Sequence, residues 1–219
     1  MNAAALMEEL LRRRDADQSA RAAIPFGGRA AFERAMAIDD DNAEWLKGVI
    51  ETVGWPGRSM VGEDGAHAAW LLAQHADRRP GLQRRCLELL RAAVADGEGS
   101  AADLAYLTDR VLLASGEAQI YGTQFAGLNG EYVPCRLQDA DTVDQRRGAA
   151  GLGTLQEMLD RALELYGPPT PGHVVCAKCG RDIEVWLTGM GGTTSVECQG
   201  CGNTLRLRPV VAEVHASTR

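Results

Sequence analysis

Four of the six cysteines stand in two pairs with the same internal spacing. Cys176 and Cys179 form the first pair, Cys198 and Cys201 form the second pair, and eighteen residues separate the two pairs. Two intervening residues allow both thiolates of a pair to face one ion, and zinc takes four such ligands in a tetrahedron. The pattern predicts one Zn²⁺ ion held by the four thiolates, and two disulfides or unused thiols are the alternative.

The predicted zinc site has a structural role. Four protein ligands leave no coordination position for water, so the ion is not expected to activate a nucleophile. Short β-forming segments lie between and after the cysteine pairs, and Gly180 and Gly202 follow the pairs directly. This arrangement is similar to a zinc ribbon over roughly residues 172–211. So small a module has little core, and metal binding must supply much of its folding free energy.

A second group of polar residues lies between residues 62 and 77. On a helix, His67, Trp70 and Gln74 share one stripe. His67 and His75 are eight residues apart, which is about 12 Å along a helix, so they cannot chelate one metal ion. His75 is the candidate general acid or base, with Asp77 as a candidate catalytic partner. A core histidine bonded to a backbone carbonyl is the alternative.

Two further segments carry candidate site residues. Tyr106, Asp109 and Arg110 form another helical stripe, in which Asp109 orients a catalytic or anion-binding Arg110, or in which both belong to a solvated ion pair. Alternation along a strand places Gln119 and Tyr121 on one face and Gln124 on the other. With Tyr106, these three residues are the candidate ligand-binding residues, and an exposed sheet face is the alternative.

The elements that must position these residues are mostly helical. Periodicity, N-cap residues and Gly or Pro breaks predict helices at about residues 3–20, 29–38, 43–53, 65–77, 80–96, 101–114, 143–149 and 154–166. The Asn129-Gly130 dipeptide between β-forming segments predicts a hairpin near residues 119–137. We therefore predict a mainly α fold, with a helical domain at residues 1–166, a Pro-rich linker at 167–172 and a small β zinc ribbon at 173–213.

Composition and charge limit the functional classes. The net charge is −7, with about −8 in the first 171 residues and about +1 in the last 48. An acidic main body is a poor surface for nucleic acid. The N-terminal segment has no signal-peptide hydrophobic region, and no apolar run of the ~18 residues needed to span a membrane occurs. We expect a cytoplasmic protein without a membrane span.

Several segments together resemble an uncharacterised bacterial family of hypothetical proteins, a domain of unknown function. They are the Gly54-Trp-Pro56 turn, the stretch from Gly62 to Trp70, the Gln74-His-Ala-Asp77 motif, the stretch from Ala105 to Arg110, and the Tyr121-Gly-Thr-Gln-Phe125 motif. The resemblance spans about residues 5 to 160 and implies that His75, Asp77, Asp109, Arg110, Tyr121 and Gln124 belong to one unit. It implies no activity.

These observations support three hypotheses of function. In the first, the helical domain binds a small ligand or a protein partner, and the ribbon is a docking module. In the second, the helical domain is an enzyme that acts on a small polar substrate or peptide, with His75 as its general acid or base. In the third, the protein is a nucleic-acid-binding regulator, which the acidic charge disfavours.

Overall fold

The computed structural model describes residues 2–128, 130–169, 172–176, 178–185, 194–202 and 204–207. The helices are α1 (Ala3–Val53), α2 (Arg58–Gln74), α3 (Pro80–Ala95), α4 (Ala101–Ala114), α5 (Val143–Ala149) and α6 (Leu155–Tyr166). The strands are β1 (Phe125–Leu128), β2 (Glu131–Pro134), β3 (Gly172–Val175), β4 (Asp182–Val185), β5 (Thr194–Glu197) and β6 (Thr204–Leu207). The prediction of a mainly helical fold with one hairpin is confirmed.

Helix α1 folds back on itself. Gly28 has φ 54° and ψ −144° inside the helix, a conformation that glycine adopts because it has no Cβ. Arg13 and Asp41 are 28 residues apart, yet their side chains form a 2.6 Å salt bridge. A straight helix would separate them by about 42 Å. The predicted break before residue 29 is therefore present, whereas the predicted break near Asp39 is absent because the second arm is one continuous helix.

Helix α2 begins earlier than the sequence predicts. Residues 58–61 form a first turn, and Gly62 with φ 70° connects this turn to the remaining helix. The turn is held from outside, because the backbone N–H of Arg58 and that of Ser59 both donate to Glu98, the first to its carbonyl and the second to its carboxylate. The helix ends at Gln74, and His75 is its C-cap residue. His75 therefore lies at a helix terminus, where its ring faces groups from other elements.

The core lies between the two arms of α1 and helices α2, α3 and α4. Each contributes one fully buried leucine: Leu10, Leu46, Leu72, Leu90 and Leu107. Burying each of these side chains contributes roughly 1.5–3 kcal/mol. Small residues on α2, among them Ala68 and Ala69, are also fully buried and allow α1 to approach closely. This core holds the end of α2 against both arms of α1.

Strands β1 and β2 form an antiparallel hairpin in which Phe125 pairs with Pro134. The predicted first strand starts later than expected, because residues 115–124 form an irregular segment in which three backbone N–H groups bond to the buried side chain of Asp109 on α4. Gln119 and Leu137 meet only at an isolated bridge. Helix α6 starts with a complete capping box between Thr154 and Glu157.

The C-terminal part contains two small antiparallel sheets, β3 with β4 and β5 with β6. Strands β4, β5 and β6 lie in the β-forming segments between and after the cysteine pairs, whereas β3 precedes the first pair and was not predicted. Residues 177, 186–193, 203 and 208–213 of the predicted ribbon lie outside the described residues. Among the helices that the structure describes, none is long and apolar enough to cross a membrane.

Candidate functional site

The four cysteines of the two pairs lie together. Their Sγ atoms are all within 4.8 Å of one another, with Cys176 3.7 Å from Cys201 and Cys179 3.6 Å from Cys198. A disulfide requires about 2.05 Å, so these contacts are not disulfides. Two sulfurs bound at about 2.3 Å to one tetrahedral ion lie about 3.8 Å apart. The spacing fits a tetrahedral metal site.

Both cysteine pairs have the same backbone geometry. The N–H of Gly180 donates to the carbonyl of Cys176, and the N–H of Gly202 donates to the carbonyl of Cys198, each at 2.8 Å. Gly180 has φ 70° and Gly202 has φ 66°, a left-handed conformation that favours glycine. Each turn thereby directs its two thiols to the same side, which explains why the four sulfurs converge. No Cys or His beyond these four is needed to complete a tetrahedron.

His75 contacts a buried carboxylate of α1. Its Nδ1 lies 3.0 and 3.1 Å from the two carboxylate oxygens of Asp17, which is 1% exposed. A carboxylate only accepts hydrogen bonds, so this contact assigns the proton of neutral His75 to Nδ1 and leaves Nε2 as an acceptor. The Nε of Arg21 is 3.1 Å from the same Nδ1 and 3.3 Å from Asp17 Oδ1, and with Nδ1 protonated it donates to Asp17.

The second arm of α1 adds Asp39 to this cluster. The guanidinium of Arg21 donates to both carboxylate oxygens of Asp39, at 2.7 and 2.9 Å. Ligand atoms of Asp17, Asp39 and His75 lie within 4.8 Å of one another. That grouping would suit a metal ion, but Arg21 already places a positive charge against both carboxylates. We therefore assign the cluster to an ion-pair network that orients His75.

Burial and neighbouring charges shift the pKa values of the clustered side chains in opposite directions. Burial acts to raise the pKa of Asp17, but the hydrogen bond and charge of His75 and the charge of Arg21 lower it to about 2. Burial raises the pKa of Asp39 to about 7, against the lowering effect of Arg21 and with the help of neighbouring Asp17. Burial also lowers the pKa of His75, against the raising effect of Asp17. His75 is thus a neutral base beside an ionised Asp17 at neutral pH.

A cavity of about 460 Å³ adjoins His75. His75, Arg110, Tyr106 and Gln124 all line it. The remaining wall comes from the ends of α2 and α4, the start of β1, and helices α5 and α6, and includes Trp70, Leu71, Gln74, Thr123, Phe125, Arg147, Glu157, Met158 and Arg161. The volume lies within the ~300–1,000 Å³ of small-molecule sites.

Asp77 does not line the cavity but contacts a residue that does. Its carboxylate lies 3.5 Å from a guanidinium nitrogen of Arg110, and its other oxygen accepts from the amide of Gln83 at 3.1 Å. Arg110 is 6% exposed. Asp77 therefore balances the charge of Arg110, and the carboxylate that contacts His75 is Asp17.

Asp109 faces the irregular segment after α4. It is fully buried, and its oxygens accept from the N–H groups of Ile120, Tyr121 and Thr123 and from the hydroxyl of Thr123, at 2.7 to 3.2 Å. These donors occupy the carboxylate. Asp109 positions the segment that carries Thr123 and Gln124 and does not line the cavity.

Gln119 and Tyr121 also support the segment. The amide of Gln119 bonds to the carbonyls of Gln124 and Cys135 and to the N–H of Gln124, at 2.8 to 3.0 Å. The backbone carbonyl of Tyr121 accepts a hydrogen bond from the guanidinium of Arg147 at 2.9 Å. Neither is among the residues that line the cavity, so of the four candidate ligand-binding residues the structure brings Tyr106 and Gln124 to it.

Four site residues do not follow from any pattern in the sequence: Asp17, Arg21, Asp39 and Arg147. Asp17 and His75 are 58 residues apart, so no local spacing connects them. Only a polar residue on an otherwise apolar helix face could have suggested that Asp17 is buried. His67 lies elsewhere, 3.1 Å from Asp103 and half-exposed.

The chain was compared with known proteins and protein families. No curated protein matches the chain, and no solved structure matches it. A family model described as "Family of unknown function (DUF6624)" matches residues 4–168, which include every residue that lines the cavity. The chain therefore belongs to this family of unknown function, DUF6624.

Proposed function

We propose that the helical domain binds a small organic anion in the cavity beside His75. The observation that carries the proposal is that His75 and Arg110, from different helices, line the same cavity. Arg147 lines it as well, is 2% exposed, and donates to the carbonyls of Gly153 and Tyr121. A guanidinium shielded from water attracts an anion more strongly than one on the surface.

The wall also suits an apolar portion of the ligand. Leu71, Phe125 and Met158 line the cavity together with Trp70. Apolar surface with a few placed polar groups is typical of sites for small organic molecules. The ligand that fits these walls is a small organic acid with a hydrocarbon part.

A binding experiment with matched histidine variants tests this proposal. Small carboxylates and phosphates would be titrated by calorimetry into the full chain, His75→Gln and His67→Gln. We expect a carboxylate to bind together with a proton on Nε2 of His75, which then donates to the anion, and His75→Gln to weaken binding about tenfold, which corresponds to the loss of about one hydrogen bond. His67→Gln should bind normally, since His67 does not line the cavity. Absence of binding by any anion, or an equal loss in both variants, would contradict the proposal.

A catalytic role is the second candidate, and the contact between Asp17 and His75 favours it. With Nδ1–H bonded to Asp17, Nε2 is the nitrogen that can take a proton from a substrate group or from water. Asp17 would then stabilise the imidazolium that forms, because its negative charge lies 3.0 Å away. The substrate class is a small polar molecule or peptide, and Arg110 would hold its anionic group.

The catalytic candidate is tested on the molecules that bind. Each would be incubated with the protein and followed by NMR for a change of covalent structure. General acid–base catalysis contributes typically 10²–10⁴-fold, so His75→Gln should remove turnover and Asp17→Asn should lower it at least about 100-fold. Asp103→Asn is the control, because Asp103 contacts His67 as Asp17 contacts His75. It should leave turnover intact. Binding without any conversion would restrict the domain to ligand binding.

We further propose that the four cysteines hold one structural Zn²⁺ ion and that the ribbon is a docking module for a protein partner in the cytoplasm. Thiolates remain available for metal in a reducing compartment. Four thiolates are the ligand set of structural zinc sites. Metal analysis should find about one zinc per chain and none in a Cys176→Ser/Cys198→Ser variant. Salt-sensitive binding to DNA or RNA would instead indicate a nucleic-acid partner.

A further inference from the structure

Three residues that line the cavity carry buried side-chain atoms without hydrogen-bond partners among the described residues. They are Oε1 of Gln74, Oε1 of Gln124 and Nε1 of Trp70. Gln74 and Gln124 are each 4% exposed and Trp70 is 8% exposed. A buried polar atom left unpaired costs about 1–3 kcal/mol, so most such atoms in proteins are paired. Three residues of one cavity with such atoms are candidates to pair with a ligand.

The orientation of Gln124 follows from its neighbours. The carboxylate of Asp109 only accepts, so the hydroxyl of Thr123, 3.0 Å away, must donate to it. The Thr123 oxygen is then an acceptor for the amide nitrogen of Gln124 at 3.1 Å. The end of Gln124 that remains is its carbonyl oxygen. Asp109 therefore makes Gln124 a hydrogen-bond acceptor on the wall, through Thr123.

Trp70 supplies the opposite function. An indole N–H only donates, and Trp70 belongs to α2 whereas Gln124 belongs to the segment before β1. The wall thus has an acceptor on one element and a donor on another. A trans amide group has a donor N–H and an acceptor carbonyl that lie in one plane and point in opposite directions, so it can pair with both Gln124 and Trp70.

We infer that the ligand carries an amide group next to its anionic group, as in an N-acylated amino acid or the carboxyl end of a short peptide. This inference rests on the proposed anion site. The carboxylate pairs with Arg110, the amide N–H donates to Gln124, and the amide carbonyl accepts from Trp70. The Gln124 oxygen and the indole nitrogen are shielded from water, so binding includes a local side-chain adjustment that opens them to the ligand.

A series of related acids tests the inference. The probes are N-acetyl-leucine, 2-acetoxy-4-methylpentanoate, 2-hydroxy-4-methylpentanoate and 4-methylpentanoate. The second of these, called the acetoxy acid below, has an ester oxygen in place of the amide N–H of N-acetyl-leucine. We expect N-acetyl-leucine to bind about tenfold or more tightly than the acetoxy acid, because the isostere leaves the Gln124 oxygen unpaired. The Gln124→Met variant, which lacks that oxygen, should reduce the ratio to about one. Gln138→Met is the control, since Gln138 is exposed and bonds to Ala118.

The outcomes separate this inference from the proposed function. Equal binding of all four acids, or a hydroxy acid that binds as tightly as N-acetyl-leucine, would overturn the amide inference and leave the anion site standing. An unchanged ratio in folded Gln124→Met would overturn the assignment of Gln124. Failure of every acid to bind would remove the proposed function itself. The comparison between the amide and its acetoxy isostere uses the unaltered protein, so it stands even if Gln124→Met does not fold.

Discussion

At the scale of single residues, the two ring nitrogens of His75 have different surroundings. Nδ1 faces the carboxylate of Asp17, while the residue lines a cavity of about 460 Å³. The network around it balances Asp17 and Asp39 against Arg21. Because each of these groups is buried or half-buried, small changes of charge are expected to have measurable effects on stability.

Asp39 should make the protein less stable as pH rises from about 4 to 7. Burial raises its pKa to about 7, well above the range of an exposed aspartate, so the folded state binds the proton more tightly than the unfolded state in this window. Asp39→Asn should remove about 1–3 kcal/mol of this pH-dependent loss. The check is urea unfolding of both proteins at several pH values. His75 contributes the opposite slope but is present in both, so parallel profiles would show that Asp39 is not protonated in the folded state.

Asp109 should be among the least replaceable residues. Asp109→Ala leaves the buried N–H groups of Ile120, Tyr121 and Thr123 without their acceptor, and we expect a loss of about 3–5 kcal/mol. Asp144→Ala is the matched control, since exposed Asp144 accepts one bond, from Leu155 at 2.7 Å, and should cost about 1 kcal/mol. Denaturant unfolding measures both, and similar losses would contradict the assigned role.

At the scale of elements, the turn of α1 at Gly28 brings Asp39 to Arg21. Gly28→Ala should cost about 1–3 kcal/mol, because φ 54° with ψ −144° is a conformation that residues with a Cβ avoid. Gly48→Ala in the same helix should instead stabilise by about 0.5–1 kcal/mol, since Gly48 is helical and a Cβ there meets nothing within 4 Å. Thermal unfolding of both variants checks the opposite signs.

Local sequence signals predicted the positions of some elements but not of others. Pro80 at the start of α3, Ser100 as the N-cap of α4 and the capping box of α6 agree with the predicted helices. The hairpin strand expected from Gln119 starts instead at Phe125. The side chain of Asp109 accepts hydrogen bonds from backbone N–H groups that would otherwise bond to a neighbouring strand. No pattern within residues 119–125 indicates that Asp109 replaces a strand as their acceptor.

At the scale of the whole molecule, the cysteine cluster and the helical core are stabilised differently. Removing the proposed Zn²⁺ with a chelator should unfold the segment that contains the four cysteines, because we expect the binding of that ion to supply much of the folding free energy of the segment. The helical domain should keep its circular dichroism and its unfolding midpoint, since its core comes from α1 to α4. Limited proteolysis of the metal-free protein should then cut beyond about residue 167. Loss of helical signal on chelation would show that the two parts fold as one unit.

Local sequence determined the parts of this protein that depend on short-range chemistry. The two CxxC pairs with their following glycines predict a metal site, and capping residues and glycine breaks predict most helix ends. The partners of the central histidine were decided by tertiary structure, because Asp17 reaches His75 only after the two arms of α1 pack against α2. Burial then determines which polar groups are charged and which atoms stay unpaired, and burial depends on the whole core rather than on neighbours in the chain.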